Sequence, residues 1–263
     1  MDALCVIAAP GAGTDELFAA LAGAPDFACY PGCFGGGRAG GIDPAGWPLL
    51  RRLTGIGFTD ERDPRLVDFI QARPAAWLDA LEIATRDAGR RVMAFPLHHD
   101  ELPPALVERE IMGRTGLRVV FVVRRQIDSF VAWRRAMALA QLSESGVGIR
   151  LKLQPDDFCH WMEAQERWYG LWQDYLKRRF LPCPVLRYES DIDRQPPEAV
   201  LRRFAAAAAQ VGITLRPPGP PATRDAPPPV RVGTLSEDVR NWTIFSAEIF
   251  RRGLEKRAFG YPL

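Results

Sequence analysis

Residues 3–17 read ALCVIAAPGAGTDEL. Residues 3–9 are a nearly continuous apolar run, the pattern of a strand covered on both faces, where alternation vanishes because neither face meets water. Pro10 and the glycines at 11 and 13 stop the strand in a turn of small residues, and Thr14-Asp15-Glu16 has the residue types that open a helix. A strand entering a helix through such a turn aims backbone N–H groups and the positive end of a helix dipole at one point, which suits an anion. The stretch contains no Lys or Arg.

The same alternation continues along the chain. RRVMAF at 90–95 reads as a second buried strand, ending at PLHHDELPP, LRVVFVVR at 117–124 is the clearest strand, and CPVLRYES at 183–190 is the last. Helical spacing fills the intervals: LFAALAG after the first turn, 64–88 broken near Pro74, 104–115 closed by Gly116, and QIDSFVAWRRAMALAQL directly after the third strand. Between 155 and 179 Phe158, Trp161, Met162, Gln165, Trp168, Tyr169, Trp172, Tyr175 and Leu176 recur at threes and fours, one broad aromatic face that reads as core. A helix over 196–212 and a final one from about 243 flank a Pro-rich crossing at 217–229, while 28–48 has too much Gly and Pro for regular structure and reads as a surface loop.

Strands alternating with helices predict an α/β domain spanning 1–263, three layers deep around a central, mostly parallel sheet. Ligands bind such sheets beyond the carboxyl ends of the strands, which singles out 10–15, 96–101, 124–132 and 187–191.

Composition narrows the partners. Lys plus Arg total 34 against 32 Asp plus Glu, a net charge of +2, which gives no bulk field for nucleic acid. Five cysteines without metal-ligand spacing read as reduced thiols, and no apolar stretch reaches the roughly 20 residues of a membrane span. The first twenty residues lack a basic start and carry Asp2, Asp15 and Glu16, so a cytoplasmic chain is expected. The few His and Cys imply no metal.

Two nucleotide motifs fail on residue type. A Walker loop needs Lys after its second Gly, where Thr14 stands, and the dinucleotide fingerprint needs a third Gly where Glu16 stands. A third form, a loop that wraps a phosphosulfate with backbone N–H groups, fits Pro10-Gly11-Ala12-Gly13-Thr14. Three later segments support it in order: LRVVFVVRRQIDSFVAWRRA, with Arg124 at a strand end; VLRYES followed by PPEAVLRRFAAAAAQVGI; and VRVGTLSEDVRNWTIFSAE at 230–248. Together these resemble the PAPS-dependent sulfotransferases, in particular bacterial members that modify hydroxyls of carbohydrates or small molecules.

The resemblance implies a P-loop-like sulfotransferase fold and sulfuryl transfer from 3′-phosphoadenosine 5′-phosphosulfate (PAPS), leaving PAP, to a hydroxyl or amine acceptor held under the 28–48 loop. It implies backbone donors at Gly11, Ala12, Gly13, Thr14 and Asp15, Arg124 on the 3′-phosphate, Tyr188 near the adenine, and Arg231 with Gly233 closing over the 3′-phosphate. The family's phosphate-gripping serine position holds Ala132, and Ser129 is the nearest hydroxyl. Gly11 stands where the family carries its loop cation, for which Arg38, Arg51 and Arg52 are the candidate replacements. Transfer needs a base for the acceptor proton, and His98 or His99 after the second strand is the expectation, with Asp100 and Glu101 as carboxylate alternatives and His160 structural. The other readings are a sulfotransferase-like protein that acts by binding, and an unrelated nucleotide enzyme such as a kinase or dehydrogenase.

Overall fold

The computed structural model describes residues 2–35, 37–141, 149–216 and 234–263. Its strands are β1 (Asp2–Ile7), β2 (Phe27–Cys29), β3 (Val92–Leu97), β4 (Leu117–Val123) and β5 (Val185–Arg187). They form one all-parallel sheet in the order β2-β3-β1-β4-β5. Its helices are α1 (Thr14–Leu21), α2 (Trp47–Thr54), α3 (Pro64–Ala72), α4 (Pro74–Asp87), α5 (Pro104–Val107), α6 (Gln126–Gln141), α7 (Pro155–Arg178), α8 (Pro197–Gln210), α9 (Leu235–Asp238), α10 (Trp242–Arg251) and α11 (Glu255–Ala258).

β1 is the central strand because both its faces are apolar: Leu4, Cys5, Val6 and Ile7 have no exposed surface. It pairs with Val92–Leu97 on one side and, from Ala3, with Leu117–Phe121 on the other. From β1 the chain builds β2 and β3 on one side and then crosses to β4 and β5 on the other, so the residues after β1 and β4 part at the switch point where open α/β sheets hold ligands. With β3 between β2 and β1, the order differs from the 3-2-1-4-5-6 of dinucleotide-binding sheets.

The parting is fixed by a side chain from α7. The β1–β4 ladder ends at Ile7 opposite Phe121. Just beyond it Ala9 N–H donates to the Tyr169 hydroxyl at 2.7 Å, and that hydroxyl donates to the Val122 carbonyl at 2.7 Å. The buried phenol replaces the next rung of backbone pairing and leaves no polar group unpaired there.

The nine residues expected on the aromatic face of α7 are the nine it buries. They feed two clusters: Trp168 to Leu176 pack under the sheet with Phe121, Leu186 and Phe204, while Phe158, Trp161 and Met162 join Phe130, Val239 and Phe245 in a second core. Full burial of each such ring contributes about 1.5–3 kcal/mol.

Four expectations change. The 28–48 segment is not all loop: it contains most of β2, a three-residue strand too short for any alternation to be read, and α2 starts at its end. The second strand lies two residues further on, at 92–97, because Arg90 and Arg91 are exposed and only Val92 onward is buried. The last strand keeps three residues of CPVLRYES, because from Tyr188 the backbone closes a wide π turn over Tyr188–Ile192. The 104–115 helix is a single turn, α5, followed by a second π turn at Glu108–Met112. The Pro-rich 217–229 crossing lies outside the described residues.

Among the described residues no helix is long and apolar enough to cross a membrane, and no cluster of His, Cys, Asp and Glu could hold a metal ion. All five cysteines are free thiols.

Candidate functional site

The turn between β1 and α1 is held by its backbone. Ala8 N–H donates to the Leu97 carbonyl of β3 at 3.2 Å and Ala12 N–H closes a tight turn on the Ala9 carbonyl at 3.0 Å. Gly11 (φ 78°) and Gly13 (φ 90°) take left-handed conformations that favour glycine. Gly13 is the N-cap of α1, and no side chain caps the helix, so its first amides remain available as donors.

Both glycines also permit close approach. A Cβ on Gly11 would run into the Ser129 carbonyl and sit 2.8 Å from the Trp133 nitrogen, so α6 packs directly on the turn. The Ser129 hydroxyl donates to the Pro10 carbonyl at 3.0 Å and thereby ties α6 to the turn. On Gly13 the same atom would overlap Cδ2 and Cε2 of the Tyr188 ring, which packs against the start of α1 and donates its hydroxyl to Glu16 at 3.3 Å. Burial and the Glu16 carboxylate push the Tyr188 phenol up to about 12.

Arg124 follows β4 and is 7% exposed. One guanidinium nitrogen donates to the Gly11 carbonyl at 3.0 Å, the guanidinium carbon lies 4.1 Å from the Tyr188 ring centroid, and the buried Nε has no partner among the described residues. The nearby carboxylates are taken by Arg125, which pairs with Asp128 at 2.6 Å and Glu189 at 3.4 Å. Burial pushes the Asp128 carboxyl up, against the pull of Arg125 and Arg124.

His98 follows β3 and faces the turn from the other side. Glu101 grips it at two points, its Oε2 accepting from the His98 backbone N–H at 2.8 Å and its Oε1 lying 3.1 Å from Nδ1. The other ring nitrogen, Nε2, is 3.5 Å from the Thr14 hydroxyl. Burial alone would lower the imidazole, but Glu101, Asp100 and Asp15 outweigh it and raise it above the ordinary histidine value. His99 is the reverse case: burial lowers it, and its Nδ1 is buried without a partner among the described residues.

Three strand ends thus supply one residue each to the rim of the turn: His98 after β3, Arg124 after β4 and Tyr188 after β5. Gly11, Ala12, Gly13, Thr14 and Ser129 join them, while Asp15 is exposed and contributes its charge. Arg38 does not fold back to the turn but pairs with Glu61 at 3.7 Å. Arg51 donates to the Phe58 and Thr59 carbonyls and lies against the Trp47 and Phe58 rings, Arg52 is exposed, and His160 is exposed on α7. Arg231 and Gly233 lie outside the described residues.

Sequence reasoning missed Tyr169 as a support of the turn, counting it only as core. Its signal was a hydroxyl on a face otherwise mostly of Trp, Phe and aliphatic residues, since a buried phenol usually finds a partner, but Tyr175 on the same face carried the same signal. Glu101 was weighed as a base, whereas both its oxygens are engaged by His98. The assembled groups are helix N-terminal amides, a buried guanidinium and an imidazole beside a hydroxyl, a donor-rich edge suited to a phosphate or sulfate ester. Compared with known proteins, the chain matches no family model and no curated sequence.

Proposed function

We propose that the protein binds PAPS with its phosphosulfate end at the β1–α1 turn and transfers the sulfuryl group to a hydroxyl or amine of a carbohydrate or small-molecule acceptor. Arg124 carries the reading: a guanidinium 7% exposed that has, among the described residues, one carbonyl partner, a ring face and an orphaned Nε, set against a glycine turn at the switch point of the sheet. Asp128 pulls on this guanidinium but is paired to Arg125, so Arg124 is left short of hydrogen-bond acceptors, and an anion at the turn supplies them.

Bound PAPS supplies an activated sulfuryl group. The chain's part is to hold it: the amides of Gly13 and Thr14 and the Arg124 fork meet the anionic oxygens, the buried Tyr188 ring braces the Arg124 guanidinium and the start of α1, and His98 keeps a proton next to Thr14. The acceptor enters beside the 28–48 segment. Five free thiols suit action in a reducing, cytoplasmic compartment.

One observation favours a second reading, binding without transfer. The turn has no cation of its own, and Gly11 cannot host one because a side chain there meets the backbone of α6. Thermal unfolding with PAP, PAPS, ATP and NAD in turn separates the readings, since a ligand that binds only the folded state raises the midpoint. PAP and PAPS raise it, ATP and NAD do not, and Arg124→Met loses the PAP shift. If no adenine nucleotide moves the midpoint at millimolar concentration, both nucleotide readings are abandoned. Conversion of PAPS to PAP then distinguishes transfer from binding alone.

A further inference from the structure

The turn presents amides but no charged side chain, while a carboxylate-held imidazole faces it across the end of β3. We propose that a second cationic donor at the β1–α1 turn, across it from Arg124, is His98, positioned by Glu101, and that its Nε2–H and the Thr14 hydroxyl together receive one oxygen of the bound phosphate or sulfate ester. The proposal rests on the anion-binding reading of this turn and adds to it the residue that supplies this second charge and the residue that aims it.

The geometry fixes which nitrogen is free. Glu101 Oε1 at 3.1 Å takes Nδ1, and Oε2 takes the backbone N–H of the same residue at 2.8 Å, so one carboxylate ties the ring to its own backbone and Nε2 is left facing the loop. Glu101 and His98 side chains are 7% and 15% exposed, so water competes little for either. At 3.5 Å the Nε2–Oγ1 approach to Thr14 is long for a hydrogen bond, and the two atoms are better placed to converge on a third. Thr14 is the first residue of α1, so an oxygen received there also meets the helix N-terminus.

Among the described residues, the charges that act on His98 are acidic apart from His99: Glu101 and Asp100 from its own turn and Asp15 from α1. They keep the ring protonated at pH values where an ordinary histidine has lost its charge. A protonated ring is a donor rather than a base, so the expected base role moves away from His98. Asp15 and Asp100 are exposed and screened by water, whereas the buried Glu101 is in hydrogen-bond contact.

Inorganic sulfate is the probe, because its charge is constant where phosphate esters titrate. Sulfate binding is followed by NMR at the Gly13 and Thr14 amides from pH 6 to 9, with chloride balancing ionic strength, and the His98 ring is titrated in the same samples. In wild type, affinity falls about tenfold as pH rises through the His98 midpoint, the scale of one lost charge-assisted contact. His98→Gln removes the pH dependence and binds at the wild-type high-pH level. Glu101→Gln lowers the His98 midpoint and moves the affinity profile with it. Thr14→Val, which keeps the shape of the turn, weakens sulfate at every pH without changing the slope.

Sulfate binding that is independent of pH in wild type, or a Glu101→Gln ring that titrates as in wild type, overturns the proposal and leaves anion binding at the turn standing. Failure of both sulfate and PAP to shift the Gly13 and Thr14 amides at any pH overturns the anion-binding reading and this proposal with it.

Discussion

The Tyr188 ring occupies the space that a side chain at Gly13 would need, and Gly13 takes a left-handed conformation (φ 90°) at that contact. The start of α1 is therefore bare backbone packed against an aromatic ring. Gly13→Ala carries two costs, about 1–2 kcal/mol of conformational strain and the displacement of the ring. Urea unfolding should show a loss of about 2–4 kcal/mol. In a Tyr188→Ala background the loss should shrink to the strain alone, and an unchanged loss would mean the two residues are not in contact.

Gly11 makes the sharper case for the missing cation. Installing a lysine there looks like the obvious repair, yet φ is 78° and the new Cβ meets the Ser129 carbonyl. Gly11→Lys and Gly11→Ala should both lose about 2 kcal/mol or more of stability, with neither gaining affinity for PAP. Tighter PAP binding by the lysine variant alone would show that the turn can open away from α6.

Tyr169→Phe removes one oxygen and orphans two backbone groups, Ala9 N–H and the Val122 carbonyl. The expected cost is about 1–3 kcal/mol, with the Ala9 amide exchanging faster with solvent while amides of β3 stay protected. Equal acceleration across the sheet would indicate global destabilisation rather than loss of a local bridge.

His98 and His99 should give opposite pH dependences of stability. The folded-state value of His98 is raised, so its contribution is complete below about pH 6.5 and disappears as pH rises through the folded value. His99 is lowered, so its neutral burial is costless above about pH 6.5 and destabilising as pH falls from there toward the folded value. Urea midpoints from pH 5 to 9 for His98→Gln and His99→Gln, each subtracted from wild type, should slope in opposite directions. Parallel slopes would show that both imidazoles see the same environment.

The sequence made some of this architecture plain and hid other parts for physical reasons. β1 and β4 were legible because both their faces are buried, so apolar residues run without interruption, and α7 because its nine buried residues keep helical spacing. β2 was not: three residues joined to one neighbour carry no pattern, and their place is decided by β3 alongside. The rim residues Arg124 and Tyr188 were visible as strand ends. What they touch was not, since the Arg124 to Gly11 bond joins residues far apart in the chain. Between His98 and His99 the sequence could not choose, because the difference lies in where Glu101 folds back.

α7 belongs to two cores at once, its first turns to the Phe130–Phe245 cluster and its last to the sheet, with buried Gln165 between them. A helix shared in this way acts as an axle: while it is intact the two cores must melt together, and the sheet lends its cooperativity to the smaller one. Weakening the middle of α7 should split a single unfolding transition into two, with the aromatic cluster released first.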